Sequence, residues 1–401
     1  MCKLVGTMPG NKARAGNAGA VEALVAALQK HTTSEEVPHV MLTVLSKICH
    51  DSKENKSRAM SAGGIEAIVA AMLKHMESQT IQNFACVALG SLSSTDESKT
   101  RAGTAGAVEA VVAAMRSHAG SADVQEKACL ALMGLTTDND KNRTRAGTAG
   151  AVEAVVAAMH AHTGRADVQE EACMALRNMA GGTNVENRTR AGTAGAVEAV
   201  VAAMRTHAES AGVQEQACWA LGNLAIKNEA NRTRAGTAGA VEAVVAAMRT
   251  HAGSAGVQHR ACSALINLTS NDEGNRTRAG ATGAVEAVAA AMRAHAESAG
   301  VQEKACWALG NLAIKDEANR TRAGTAGAVE AVAAAMRTHA GSAGVQEEAC
   351  WVLRRLIYND AKNKTSARTA GARELAEAAL KAHSGNENVG EQARKFLKAL
   401  T

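Results

Sequence analysis

One glutamate recurs nine times along 401 residues: Glu22, Glu66, Glu109, Glu153, Glu198, Glu242, Glu286, Glu330 and Glu374, at spacings of 43, 44 or 45. A fixed period of this size means that one supersecondary unit is copied and stacked, because a unit of that length cannot bury its apolar faces alone. Repeats are therefore expected over approximately 11–54, 55–97, 98–141, 142–186, 187–230, 231–274, 275–318, 319–362 and 363–400, forming a single solenoid over 11–400 after a short segment, 1–10.

The unit from Asn187 to Ala230 reads as three helices. The first, Arg188 to Ala194, is short; Gly192 and Gly195 weaken it and permit a sharp turn. The second, Ala196 to about His207, carries Val197, Val200, Val201 and Met204, an i, i+3, i+4, i+7 face. The third runs from Val213 to Ile226, with Val213, Ala217, Ala220, Leu221 and Leu224 on one side. Ala208 to Gly212 is a loop by composition. The chain holds only two prolines and six aromatic residues (three Trp, two Phe, one Tyr), and alanine is abundant. Helix and an aliphatic core follow.

Nine cysteines stand in the chain, and eight recur with the repeat: Cys49, Cys86, Cys129, Cys173, Cys218, Cys262, Cys306 and Cys350. Each lies in an apolar helical stretch, where free Cys acts as a small hydrophobe. No Cys-x-x-Cys pair exists, so no metal site is expected. Structural thiols suit a reducing compartment. No signal peptide and no membrane span is legible, so the expectation is cytoplasmic, with the nucleus also open. Cys2 excludes the myristoylation pattern, while its palmitoylation stays open. A net charge of +5 does not by itself call for nucleic acid or membrane.

Ends should differ from the middle. The last helix has Arg394 where cysteine normally stands, then Lys395 and Lys398, the polar face of a capping repeat. The first repeat's second helix, with Leu24 and Leu28, is as apolar as an internal one. Upstream sequence is therefore an open question.

Three helices per unit, Gly-Ala-Val before the second, and Val-Gln-Glu-x-Ala-Cys-Trp-Ala-Leu-Gly-Asn-Leu in the third resemble the armadillo repeat of importin-α, β-catenin and vacuolar-protein-8-like proteins. The resemblance covers residues 11 to 400. It implies an all-α, right-handed α-α superhelix whose third helices line a concave groove. In importin-α-like members a tryptophan and an asparagine four residues later line that groove; here the pairs are Trp219/Asn223 and Trp307/Asn311. Asn178 and Asn267 fill the same asparagine phase, and Trp351 the tryptophan phase. An asparagine amide can pair with an extended backbone, and tryptophan adds apolar shelf. The expected function is an adaptor gripping an extended segment of another protein as a monomer. Against the importin pattern, Gly182, Lys227, Asn271 and Lys315 stand where acids would meet a basic cargo, and Lys47, Ser91, Gly134 and Arg355 replace asparagine elsewhere. Import of basic cargo is the alternative these residues weaken. Glu126, Glu170, Glu215, Glu303 and Glu347 form a row near the start of the third helices, broken by His259. They are read either as dipole partners or as an acidic groove margin opposite Lys227 and Lys315.

Two ladders remain. A histidine ends every second helix: His31, His75, His118, His162, His207, His251, His295, His339 and His383. Neighbours spaced by roughly 8–10 Å cannot converge on one metal, so these should interact with the last carbonyls of the helix. Basic rows open each first helix: Lys12, Lys56, Lys99, Arg143, Arg188, Arg232, Arg276, Arg320 and Lys364, and two residues on, Arg14, Arg58, Arg101, Arg145, Arg190, Arg234, Arg278 and Arg322. They are read as binding carbonyls at the previous repeat's helix end. RNA or another polyanion along them is a further alternative. No nucleophile, phosphate-loop or metalloprotease motif is present, so neither enzyme activity nor a cofactor is expected.

Overall fold

The computed structural model describes residues 9–31 and 36–401. Cys2 and most of the N-terminal segment lie outside them. The described residues form 27 helices and no strand, and they divide into two compact units, Met1–Ala203 and Met204–Thr401.

Each repeat is a helix triplet, and the local chemistry sets its corners. First helices of nine or ten residues start at a side-chain cap: Ser52, Thr95, Asn139, Asn184, Asn228, Asp272, Asp316 or Asp360 accepts from the amide three residues on. Such caps hold a helix start by about 1 kcal/mol each. The chain then turns through a left-handed glycine, Gly283 at φ 82° for instance, a conformation that penalises any Cβ. The second helix, eleven residues such as Ala240–Thr250, buries Val241, Val244, Val245 and Met248. Third helices of fourteen or fifteen residues mostly open at a serine cap. The closest packing inside each unit joins consecutive third helices. Expected and observed helices agree to within three residues: Val185–Thr193, Ala196–Thr206 and Ala211–Ala225 in the repeat analysed above.

The core is aliphatic, and all eight of the recurrent cysteines are buried in it. Burial pushes the thiols of Cys86, Cys173 and Cys262 up to about 12. Cys49 does not belong to that series. Asn55 Nδ2 bonds the Ile48 carbonyl as Asn142 bonds that of Leu135. That correspondence places Leu42, not Cys49, in the cysteine phase; Cys49 is the helix's last residue.

Polar residues lock repeat to repeat. Asn142, Asn187, Asn275, Asn319 and Asn363 are almost wholly buried. Each Nδ2 donates to a carbonyl of the preceding first helix and to one at the preceding third helix's end; for Asn319 these are Arg276 and Leu312, at 3.2 and 3.0 Å. Part of the first basic row does what the sequence suggested: Arg232, Arg276 and Arg320 each donate at 3.1 Å to Ala225, Thr269 and Ala313, carbonyls at the previous third helix's end, whereas Arg143 pairs with Asp140 at 2.6 Å and Lys99 with Asp96 at 3.8 Å. The second row pairs with the phase-marking glutamates of the preceding repeat, Arg101–Glu66 at 2.7 Å and Arg278–Glu242 at 3.4 Å. The bond to Arg101 holds the Glu66 carboxyl below its ordinary range although its partial burial opposes this.

The histidine ladder differs from expectation. Nε2 of His118, His162, His251, His295, His339 and His383 lies 2.7–2.8 Å from a carbonyl of the preceding repeat's turn, Ala252 in the case of His295. These rings join turns of successive repeats instead of closing their own helix. No group that could hold a metal occurs among the described residues.

Candidate functional site: the third-helix face

Third helices show their outward residues at the tryptophan phase and one turn to either side. In the second unit these are Trp219, Asn223, Asn267, Trp307, Asn311 and Trp351, carried by Ala211–Ala225, Ala255–Thr269, Ala299–Ala313 and Ala343–Leu356. Trp307 is 39% exposed, while Trp219 and Trp351 are half-buried. Every tryptophan already has a cation of the protein beside it. The Arg260 guanidinium stands 3.2 Å from the Trp219 ring centre, Lys304 Nζ 5.3 Å from that of Trp307, and Arg355 4.6 Å from that of Trp351. Trp351 also lies across Gly310, where an added Cβ would come within 1.7 Å of its ring.

The asparagines are not equivalent. Asn311 is 9% exposed and donates to the Ile266 carbonyl at 3.2 Å. In the first unit, Asn178 donates to the Met133 carbonyl and to Thr137 Oγ1, and accepts from Arg177. Both amides tie adjoining third helices together. Asn223 is half-buried, and Asn267 is half-buried on the same face of the next repeat.

The margins are likewise partly structural. Lys227 and Lys315 do not continue the helix. They occupy a left-handed residue beyond its end, φ 50° and 52°, where other repeats place Asp51, Asp138, Gly182, Asn271 and Asn359. Residue type there answers to the backbone, since Gly, Asn and Asp tolerate that region best. The acidic row is real but crowded. Glu303 pairs with Lys304 at 2.8 Å, and Glu170 and Glu215 are half-buried. Two carboxyls next to the row, Glu171 and Glu348, are pushed up to about 7, first by burial and then by their acidic neighbours: Glu170 and Glu126 for one, Glu347 and Glu303 for the other.

That crowding gives a pH signature. A carboxyl raised in the folded state contributes stability below its unfolded pKa, about 4.5, and loses it as pH rises toward 7. Glu348→Gln should therefore melt higher than the unaltered chain at pH 8 and show no advantage at pH 4.5. Thermal denaturation at the two pH values checks this, and an advantage of equal size at both would refute it.

A second buried ladder was not anticipated. Gln82, Gln125, Gln169, Gln214, Gln258, Gln302 and Gln346 are 0–2% exposed. Each Nε2 donates to two carbonyls at the end of its own repeat's second helix; Gln302 bonds Met292 and His295, both at 2.8 Å. The glutamine fixes the angle at which the third helix leaves the second. Its signal was present as Val-Gln or Ile-Gln at the third helix's start in seven successive repeats.

A helix-triplet stack locked by recurrent Asn, Arg and His defines an armadillo-type α-solenoid. Comparison with known proteins agrees in two separate segments: the family model "GAC ARM domain" matches residues 4–139 and "LRRK2 ARM repeat" matches residues 182–312. The chain is an armadillo-repeat protein. No curated protein matches it. Among solved structures, an engineered protein is 26% identical over all of this chain and 93% of its own, with a TM-score of 0.86. A designed armadillo repeat protein in complex with the peptide (KR)4 is 24% identical over 62% of this chain and 99% of its own, TM-score 0.53. A structure reported for a phosphorylation switch in the interaction between cadherin and β-catenin is 15% identical over 98% of this chain and 85% of its own, TM-score 0.64. The last two likenesses bear on fold alone. No helix of the described residues is long and apolar enough to cross a membrane.

Proposed function

We propose that this protein is an adaptor that binds an extended segment of another protein across the third-helix face of repeats five to eight. The observation that carries the reading is Trp307: a large aromatic left 39% exposed, flanked in neighbouring repeats by Asn223, Asn267, Trp219 and Trp351. An extended strand advances about 3.3 Å per residue, so repeats spaced by roughly 8–10 Å meet it every two or three residues. Asn267 is the best-placed backbone clamp, because the amides of Asn178 and Asn311 already serve the stack. Repeat-to-repeat locking makes the face a preformed surface, which lowers the ordering cost of binding.

Cargo of importin type fits poorly. Arg260, Lys304 and Arg355 occupy the tryptophan faces that a ligand's lysine or arginine would use, and Lys227 and Lys315 add positive margins. Neutral or acidic segments suit the face better. Polyanion binding along the first-helix rows is weakened too, since the first row is largely spent on carbonyls and aspartates and the second largely on glutamates. Buried free thiols fit a reducing compartment such as the cytosol.

Selection of peptides from an unbiased display library, followed by calorimetry, tests the reading. Trp307→Ala combined with Asn267→Ala should weaken a selected peptide about tenfold or more without altering the circular dichroism spectrum. Unchanged affinity removes the face from the proposal, and selection of lysine-rich peptides would restore the import reading.

A further inference from the structure

In a chain of near-copies, departures from the copy are informative, and they gather in repeats seven to nine. Arg354 and Arg355 stand where repeats five to seven have Gly222 and Asn223, Ile266 and Asn267, and Gly310 and Asn311. Tyr358 replaces Ile226, Ser270 and Ile314 and is 63% exposed. Lys315 takes a left-handed residue, at φ 52°, that other repeats mostly fill with Asp, Asn or Gly.

These residues surround two adjoining depressions at the ends of the third helices. One, of about 460 Å³, is lined by Lys315, Arg320, Arg354, Arg355 and Tyr358. Another, of about 800 Å³, shares Arg354 and Tyr358 and adds Lys364, Lys395 and Lys398. The cations outnumber the nearby acids. Glu317 is exposed, the Asp360 carboxylate caps the next helix by accepting from the Asn363 amide at 2.9 Å, and Glu391 is engaged by Lys395.

The guanidiniums are left wanting. Nε of Arg354 and Arg355 is buried with no hydrogen-bond partner, and so is that of Arg320, which shares this with its equivalents Arg143, Arg232 and Arg276. Arg320 as a whole is only 8% exposed; its Nη1 serves the Ala313 carbonyl, and its planar group stands 5.7 Å from the Tyr358 ring. Arg355 has an aromatic contact with Trp351, and burial beside Arg354 draws its pKa down. Two adjacent guanidiniums without an intervening anion are an unfavourable arrangement in the free protein. An oxyanion between them would complete it, because a guanidinium binds phosphate through paired N–H donors.

We propose that the cleft at the third-helix ends of repeats seven to nine is a binding site for a small ligand carrying at least two phosphate groups, one for each depression. Both volumes lie in the range of small-molecule sites, roughly 300–1,000 Å³. Tyr358, shared by both, supplies a flat apolar wall for the ligand's carbon frame. The site adjoins the third-helix face and shares Arg355 with it, but the assignment does not depend on the peptide reading.

Calorimetry on the full chain in chloride buffer tests this, with pyrophosphate and inositol hexakisphosphate as probes. Both should bind with one-to-one stoichiometry, the larger more tightly. Arg354→Gln with Arg355→Gln should weaken binding about a hundredfold, the loss of two charge-assisted contacts. Lys398→Gln alters only an exposed side chain and should weaken it several-fold with folding untouched. Arg145→Gln with Arg278→Gln, in the second basic row, should leave it unchanged. No binding of either probe at millimolar concentration overturns the assignment. An equal loss in the second-row pair does so too, since that is the mark of diffuse polyanion attraction.

Discussion

Gly280→Ala is expected to destabilise the chain by about 3 kcal/mol, and in a chain that already carries Asn319→Ser the same exchange is expected to cost little more. A Cβ at Gly280 would stand 1.9 Å from Asn319 Oδ1 and 2.9 Å from its Cγ. Neither group can retreat, because Asn319 is held by two carbonyls and is 2% exposed. Asn319→Ser alone should also cost about 3 kcal/mol, leaving those two buried carbonyls short of a donor. Together the changes should cost about 3 kcal/mol and not 6, since the shortened side chain no longer meets the methyl group. The chain contains its own precedent. Gly16, Gly103, Gly147, Gly236, Gly280 and Gly324 each face an asparagine of the next repeat. Met60 takes the glycine place in the one repeat whose successor has Ser98 instead of asparagine. Urea denaturation of the single and double variants measures the coupling; strictly additive costs would refute it.

Much of the fold was legible because burial and period coincide. Val197, Val200, Val201 and Met204 predict a buried stripe, and all four are at most 2% exposed. Cys49 was misplaced because spacing was read without an anchor: it lies 37 residues before Cys86, outside the 43-to-45 interval. The Gly–Asn coupling was also on the page, in Met60 with Ser98, but it needs the partner's identity, and that comes from three-dimensional packing. The glutamine ladder was overlooked for a related reason. A polar residue at a helix start reads as a solvated cap, and only the structure places two carbonyls of the preceding helix against it.

The third-helix face was less legible. Four asparagines in one phase suggested four equivalent clamps. A helix phase fixes direction from the axis, yet exposure depends on what the neighbouring helix presents. Asn311 meets the Ile266 carbonyl and becomes part of the stack, while Asn267 stands over Gly222, whose missing side chain leaves room beside it. The sequence reads the tryptophans as apolar shelves; the structure sets a cation of the chain beside each, Arg260, Lys304 and Arg355. Equivalent positions in a repeat array thus share geometry and differ in chemistry, and the difference comes from the residue next door.

Cys306→Arg should be the most damaging single change, costing about 5 kcal/mol or more and unfolding part of the second unit. Cys306 is fully buried, and Cys262 and Cys350 are close enough to act on its thiol electrostatically. A guanidinium there would lose its water and overfill a space packed around a thiol, even though the Glu348 and Glu303 carboxylates are near enough to act on that position. The same residue type is harmless one repeat beyond Cys350. Arg394 holds the cysteine phase in Glu387–Leu400 and is exposed, with Val389, Ala393, Phe396 and Leu400 turned inward beside it. Arg394→Cys should therefore shift stability by no more than about 0.5 kcal/mol. The pair isolates position from residue type, since one exchange is tested in both directions on equivalent helices. Circular dichroism melting and limited proteolysis of the two variants measure it. A Cys306→Arg chain that melts like its parent would mean that the third helices can part locally at that seam, and the phase would then no longer mark a sealed interior.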